Sequence, residues 1–157
     1  MMEQRLGATR RAVFMEGVHD GVPIALGYFV VAFTLGILAK TAGLSAWQGF
    51  VTSAVNIASA GEYAGFTVIA AQAPYLEIAM LTLVANARYF LMAAALAQRF
   101  APDTPLLHRL AVSFGVTDEV FGITVARGGM VQPYYNYGAL AISVPAWSAG
   151  TSAGILA

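Results

Sequence analysis

The sequence lacks cysteine and has little charge. Without cysteine, disulfides and thiolate metal sites are excluded. Only 10% of the 157 residues are charged, against about 25% in a soluble domain that must present a wet surface. Hydrophobic residues make up 59%. Because a lipid-facing exterior needs no polar surface, this composition predicts an integral membrane protein.

Several functional signatures are absent as well. Eight basic and eight acidic residues balance, so no excess of positive charge predicts a nucleic-acid partner. The sequence has no Walker motif, which excludes ATP hydrolysis through a P-loop. It also has no nucleophile, oxyanion or dinucleotide fingerprint, and we predict neither an enzyme nor a resident cofactor or metal. The N-terminus does not resemble a signal peptide, since its apolar run begins only after Asp20.

The hydrophobic residues form about five elements and predict an all-α, polytopic transmembrane helix bundle. A helix needs roughly 20 apolar residues to cross a bilayer core. The elements cover residues 21–39, 41–76, 78–97, 106–126 and 128–157, after an amphipathic N-terminal helix from about Arg5 to Asp20. We therefore predict one integral membrane domain over residues 1–157, with the amphipathic helix in 1–20 and the membrane spans in 21–157.

The first span carries small residues on one face. They recur at helical spacing and are Gly21, Ala25, Tyr28, Ala32, Gly36 and Ala39. Small side chains let membrane helices approach closely, so this face is predicted to contact another helix. Larger residues such as Leu35 are predicted to face lipid. After the span, Gly43 is suited to a left-handed helix C-cap.

The sequence leaves the membrane topology open. Arginines near the N-terminus favour a cytoplasmic N-terminus by the positive-inside rule. If every element crosses the bilayer, Arg99 and Arg109 fall on the opposite side from those arginines. If the second element re-enters without crossing, they fall on the same side.

Small and polar residues interrupt the second element between Asn56 and Glu62. Gly61 weakens a helix there, and Asn56 or Ser59 could cap a new helix near Gly61. Irregular backbone at membrane depth is tolerated only beside protein or a watery cavity. Transporters use such half-helices to present free N–H groups to a substrate carboxylate. We predict a discontinuous helix here, with Glu62 meeting a cation, an ammonium or a proton; a structurally paired Glu62 is the alternative.

Two further pairs of polar residues lie inside apolar elements. Asn86 and Arg88 are in the third element, about 200° apart on a helical wheel, so they are not expected to line one surface. An arginine at that depth needs an anion or carbonyl groups, and a fixed internal ion pair is the alternative to substrate binding. Asp118 and Glu119 point about 100° apart. They could form a proton relay or be solvated near the end of a span.

Four short motifs occur in order along the chain. They are Ala58-Ser59-Ala60-Gly61-Glu62-Tyr63, Asn86-Ala87-Arg88-Tyr89, Thr117-Asp118-Glu119-Val120-Phe121 and Trp147-Ser148-Ala149-Gly150-Thr151-Ser152-Ala153-Gly154. Together they resemble the AzlC/YgaZ family of large subunits of branched-chain amino acid exporters. The family's corresponding motifs are Ala-Gly-Ala-x-Gln-Phe, Asn-x-Arg, Thr-Asp-Glu-x-Phe and Trp-x-x-Gly-Thr-x-x-Gly.

The sequence departs from this family pattern at three points. Glu62 stands where the family usually has Gln, and Ser59 where it usually has Gly. A carboxylate at residue 62 could change the preferred substrate charge or add a proton site. The chain also ends soon after Thr151, where family members usually continue through further helices. We therefore expect a shortened member, a fragment, or a partner that supplies the missing walls.

The resemblance implies the large subunit of a two-component exporter of neutral, branched-chain amino acids in the bacterial cytoplasmic membrane. It also implies a small four-helix AzlD/YgaH-type partner. A homo-oligomer stays open. In this hypothesis the substrate meets Asn56, Ser59, Gly61, Glu62, Asn86 and Arg88, while Glu62, Asp118 and Glu119 couple transport to protons or ions. A non-transporting scaffold subunit is the alternative, and a membrane enzyme with a carboxylate metal site is a weaker one.

Overall fold

A computed structural model describes residues 9–157, which contain seven α-helices and no β-strand. The helices are α1 (Arg10–Thr41), α2 (Ala46–Val55), α3 (Ser59–Ala70), α4 (Tyr75–Ala97), α5 (Leu106–Phe114), α6 (Asp118–Arg127) and α7 (Pro133–Leu156). Three of these, α1, α4 and α7, are long and apolar enough to cross a membrane. The predicted all-α bundle is confirmed.

The first helix is longer than the sequence predicted. An N-terminal helix ending at Asp20 and a separate span were expected, but α1 is continuous from Arg10 to Thr41. Gly21 and Pro23 lie at the junction, and Pro23 removes one helical hydrogen bond, yet the helix continues through both residues. Arg5 lies outside the described residues. The predicted C-cap is confirmed, because Gly43 follows the helix with a φ of 80°.

Glycines hold α1 and α7 in direct backbone contact. A Cβ on Gly17 would collide with the Tyr135 carbonyl, and one on Gly154 with the Phe33 carbonyl. The contacts advance in the same order along both helices, so α1 and α7 run parallel. The small face of α1 is buried as predicted. Leu35, predicted to face lipid, is also buried, because it packs in the core between α1 and the end of α7.

The predicted break in the second element is confirmed, and the chain turns back there. Ser152 donates a hydrogen bond to the Ala46 carbonyl and Ser53 donates one to Thr151, so α2 starts beside the end of α7 and runs inward. Residues of α3 then contact α4 in reverse order, with Gly61 against Asn86 and Gly65 near Thr82.

The direction of α4 determines the end of the bundle toward which α3 runs. The last turn of α4 lies beside the start of α7, where Val131 N donates to Arg99 O at 2.8 Å. The first turn of α4 therefore lies at the opposite end of the bundle, and α3 runs toward that end. Helices α2 and α3 thus form a re-entrant hairpin, which answers the topological question that the sequence left open.

The fourth hydrophobic element, predicted as one helix over residues 106–126, is also a broken hairpin. Its outer end lies beside the start of α7, where His108 Nδ1 is 2.7 Å from the Tyr137 hydroxyl. Its tip reaches Tyr28 in the middle of α1 through Thr117. Helix α6 then returns toward the start of α1. There the two carboxylate oxygens of Glu16 accept hydrogen bonds from Arg127 at 2.9 and 2.8 Å. Thr117 Oγ1 accepts from Val120 N at 3.3 Å and starts α6, so α5 cannot continue through it.

The described helices therefore repeat one pattern in opposite directions: a long helix followed by two half-helices. We call the end of the bundle where α1 begins the first face, and the end where α1 finishes the second face. The hairpin α2–α3 enters from the second face and α5–α6 from the first. Both α3 and α6 begin at the centre, an arrangement found in transporters with inverted repeats.

The glycine contact between α1 and α7 gives the first prediction. Gly36→Ala should lower the free energy of unfolding in detergent by about 1–3 kcal/mol, because the new Cβ would collide with the Thr151 carbonyl and with Gly154. Gly27→Ala is the matched control on the same helix, since its Cβ would meet nothing within 4 Å. Equal unfolding temperatures for the two variants would contradict the close contact.

Candidate functional site

A cavity of about 80 Å³ lies where the two hairpins meet. One water molecule needs about 10–15 Å³ by this measure, so the space holds several waters or a small solute. Its walls come from α1, α4, α7 and the two helix breaks. The lining residues are Tyr28, Val31, Ile57, Ser59, Tyr89, Thr117, Asp118, Glu119 and Trp147.

The start of α6 forms the acidic wall of this cavity. Thr117 is the N-cap, and Asp118 and Glu119 are the first two helical residues. The Tyr28 hydroxyl lies 2.6 Å from Thr117 Oγ1 and 2.5 Å from Glu119 Oε2. Because this hydroxyl has one proton, it donates to only one of the two oxygens at a time. Tyr28 therefore fixes the position of Glu119 and of the helix start together.

The start of α3 lies on the opposite side and offers backbone donors. Its N-cap is Ala58, and no side chain caps the helix. Asn56 and Ser59, predicted as caps, do not act as such, because the helix begins two residues before Gly61 and Ser59 is already its first residue. Among the described residues, the N–H groups of Ser59, Ala60 and Gly61 have no hydrogen-bond partner. Free N–H groups at a helix start carry partial positive charge and attract anions.

Asn56 and Asn86 join the break to α4 instead. Asn86 Nδ2 donates to Asn56 Oδ1 at 3.1 Å, and the Asn86 amide packs directly against Gly61. Both asparagines line a wider groove of about 830 Å³ between α4, α5 and the break. Ile57 and Tyr89 line both spaces, so the groove adjoins the cavity.

Arg88 forms an ion pair with Asp118, at 2.8 Å between Nη2 and Oδ2. This ion pair is the predicted structural alternative to substrate binding, and Arg88 faces α6 while Asn86 faces the α2–α3 break. The predicted divergence of these two side chains is consistent with their contacts. Arg88 compensates the charge of Asp118, which leaves Glu119 as the cavity carboxylate without an arginine partner among the described residues.

Glu62 lies behind the cavity wall and is not one of the residues that line the cavity. It is 1% exposed, and its Oε1 accepts a hydrogen bond from Trp147 Nε1 at 2.7 Å. The Trp147 ring in turn packs edge-on against Tyr28, with 5.2 Å between ring centroids. An aromatic pair therefore separates Glu62 from Glu119. In the part of the chain that the structure describes, no three His, Asp or Glu side chains could hold a metal ion together, so the carboxylate metal site of the enzyme alternative does not form there.

Sequence reasoning missed two side chains at this site. Tyr28 was assigned to helix packing because it falls in the small-residue stripe, and its hydroxyl at membrane depth was the overlooked signal. Trp147 was noted only in the family resemblance. A tryptophan carries an N–H that needs a partner when buried, and this requirement could have linked it to a buried acid.

The sequence is similar to those of known membrane proteins. The family model described as "AzlC protein" matches residues 23–157. An uncharacterized membrane protein of Archaeoglobus fulgidus is 30% identical over 95% of this chain and 64% of its own length. The inner membrane protein YgaZ of Escherichia coli is 33% identical over 74% of this chain and 47% of its own length. The chain thus spans about half to nearly two thirds of the length of these relatives. No solved structure matches it significantly.

The Tyr28 hydroxyl gives the second prediction. Tyr28→Phe keeps the ring contact with Trp147 but removes the hydroxyl shared by Thr117 and Glu119, so stability in detergent should fall by about 1–3 kcal/mol. Faster amide hydrogen exchange at the start of α6 should accompany the loss. Tyr63→Phe is the control, because Tyr63 is 60% exposed. Unchanged exchange in α6 would show that Tyr28 does not position this helix.

Proposed function

This chain belongs to the AzlC family, and we propose that it is the large subunit of a two-component exporter of neutral, branched-chain amino acids, coupled to protons or ions. The observation that carries the proposal is the central cavity. Backbone N–H groups lie on one side of it and Glu119 on the other, between two half-helices that enter from opposite faces. A neutral amino acid carries an anionic and a cationic end close together, and this arrangement complements both.

The cavity suggests an orientation for the substrate. The substrate carboxylate meets the free N–H groups of α3 beside Ser59, and the ammonium group meets Glu119. Val31 and Ile57 provide apolar walls for the side chain. Asn56, Gly61, Asn86 and Arg88 shape the surrounding backbone and the adjoining groove. Glu62 then serves coupling rather than ammonium binding, since Trp147 and Tyr28 separate it from the cavity.

The distribution of positive charge supports a cytoplasmic location for the first face. The basic residues of this face are Arg10, Arg11, Arg99, Arg109 and Arg127, and Lys40 is the one at the second face in the described chain. By the positive-inside rule, this asymmetry orients the first face toward the cytoplasm. In this proposal the protein spans the bacterial cytoplasmic membrane with α1, α4 and α7, and the hairpin α5–α6 enters from the cytoplasm.

The partner proposal rests on the resemblance and on the outer surface of α4. None of the most apolar 18-residue stretch of α4 is buried. Leu76, Val84 and Leu91 are each more than 60% exposed. Lipid covers part of this surface, and a small AzlD/YgaH-type subunit or a second copy covers the rest. A partner at α4 would also close the groove beside Asn86.

The third prediction tests transport. Bacteria that lack their own exporters are loaded with valine- or leucine-containing dipeptides, and the chain is expressed alone and with a small AzlD-type subunit. Efflux should exceed that of cells without the chain. Glu119→Gln should reduce it about tenfold or more, because one charge-assisted contact to the ammonium is lost. The control is Glu77→Gln, which changes an exposed glutamate at the start of α4.

Two outcomes would count against this proposal. Equal efflux by the Glu119→Gln and Glu77→Gln variants would show that the ammonium does not bind at the cavity. No efflux with or without the partner, although the chain is inserted in the membrane, would favour a scaffold subunit. In that case the two variants would differ only in how well they assemble with the partner.

A further inference from the structure

Glu62 belongs to a buried circuit of hydrogen bonds made with α2 and α7. Trp147 Nε1 donates to Glu62 Oε1 at 2.7 Å. Ser53 Oγ donates to Thr151 Oγ1 at 2.7 Å, and Thr151 Oγ1 donates to the Trp147 carbonyl at 3.4 Å. The Ser53 hydroxyl also lies beside the Glu62 carboxyl group. All four residues are at most 2% exposed.

The circuit has one proton too few to give every oxygen of Glu62 a hydrogen-bond partner. A hydroxyl group can donate one hydrogen bond, and Ser53 already donates to Thr151. Ser53 can therefore only accept from Glu62. Glu62 Oε2 has no hydrogen-bond partner among the described residues. A proton on Oε2 would give this oxygen a partner and use the free acceptor of Ser53, so the circuit would close.

We propose that Glu62 is a proton-binding site, with Ser53 and Thr151 as the positioning residues that let it bind and release one proton while remaining hydrogen-bonded. With the proton bound, Glu62 donates to Ser53, Ser53 to Thr151, and Thr151 to the Trp147 carbonyl. After release, the two hydroxyls reverse, so Thr151 donates to Ser53 and Ser53 to the carboxylate. Only the long contact to the Trp147 carbonyl is given up.

The surrounding charges favour a proton over a bound cation or an ion pair. Helix α2 has no ionisable residue, and the ionisable residues of α7 are tyrosines near its start, at the first face. The ionisable groups at the centre of the other packed helices are Tyr28, Arg88, Tyr89, Asp118 and Glu119, and they contact one another. A metal ion would find only one carboxylate here, and the described residues contain no group of three acidic or histidine side chains that could hold a metal ion together.

The circuit also connects the proton to both half-helices and to the cavity wall. Ser53 and Glu62 lie on opposite sides of the α2–α3 break, so the proton affects how the two half-helices are held together. Trp147 transmits the change to Tyr28 and hence to the cavity wall. That this proton drives transport rests on the proposed function, whereas the proton site itself can be tested without any substrate.

The experiment uses Trp147 as a reporter. The sequence has two tryptophans, so Trp47→Phe leaves Trp147 as the single one. The emission of purified, substrate-free Trp47→Phe protein is recorded from about pH 4 to pH 10, a range that covers most ionisable groups. Infrared difference spectra over the same range follow the carbonyl band of a protonated carboxyl group, in case the emission is insensitive.

One transition is expected, and it should disappear from both measurements when Glu62→Gln is added. Ser53→Ala should move its midpoint to higher pH by about one unit, a tenfold change in proton affinity, because the carboxylate loses a donor and bonds to charged groups are the stronger ones. Thr151→Val should move the midpoint to lower pH, because the Ser53 hydroxyl would then have no acceptor for its proton when Glu62 is protonated. Thr151→Ser, which keeps the hydroxyl, should leave it in place.

Two results would overturn the proposal. One is the absence of any transition in either measurement in the Trp47→Phe protein. The other is a transition that survives Glu62→Gln but is lost in Glu119→Gln, which would place the proton at the cavity. Because no substrate is present, this experiment is independent of the transport assay. A proton site without amino acid efflux would contradict only the proposed transport function. Efflux without a proton site would contradict only the proposed role of Glu62.

Discussion

A backbone group that lacks a hydrogen-bond partner cannot face lipid, and both helix breaks of this protein must therefore be enclosed by other helices. The parallel contact of α1 with α7 provides the enclosure. Glycines bring the two backbones together, and their shared surface carries Tyr28 and Trp147 to the level of both breaks. A wider spacing between these two helices would separate the aromatic pair and expose the starts of α3 and α6.

The sequence was sufficient to predict features that depend on local chemistry. The composition required a membrane environment, and the small polar run before Glu62 could not continue a helix through it. Gly43 marked a left-handed turn. Each of these signals lies within a few neighbouring residues, so no knowledge of the rest of the fold was needed. The Thr117-Asp118-Glu119 run carried the same kind of information, since a threonine followed by two acids is a typical helix start. It was assigned to charge chemistry alone, and the second break was missed.

Features that depend on distant contacts could not be predicted. Glu62 and Trp147 are separated by 85 positions, and Tyr28 and Glu119 by 91. Nothing local distinguishes a Glu62 that lines a cavity from one that lies behind an aromatic pair. The re-entrant path could not be predicted for the same reason, because helix length alone allows residues 46–70 to cross the membrane or to turn back. Contacts of α3 with α4 decide between the two paths.

The opposed directions of the two hairpins have a consequence for permeability. Helices α3 and α6 both begin at the centre, so the positive ends of two helix dipoles converge at one depth in the membrane. Their fields largely cancel along the membrane normal but add at the meeting point. At α6 the carboxylates of Asp118 and Glu119 offset this positive end, whereas no side chain caps α3. A small inorganic cation that entered from either side would therefore meet an uncompensated helix end only at α3. The two ends of the central cavity thus differ in charge, and the α3 end would oppose the leak of cations through the bundle.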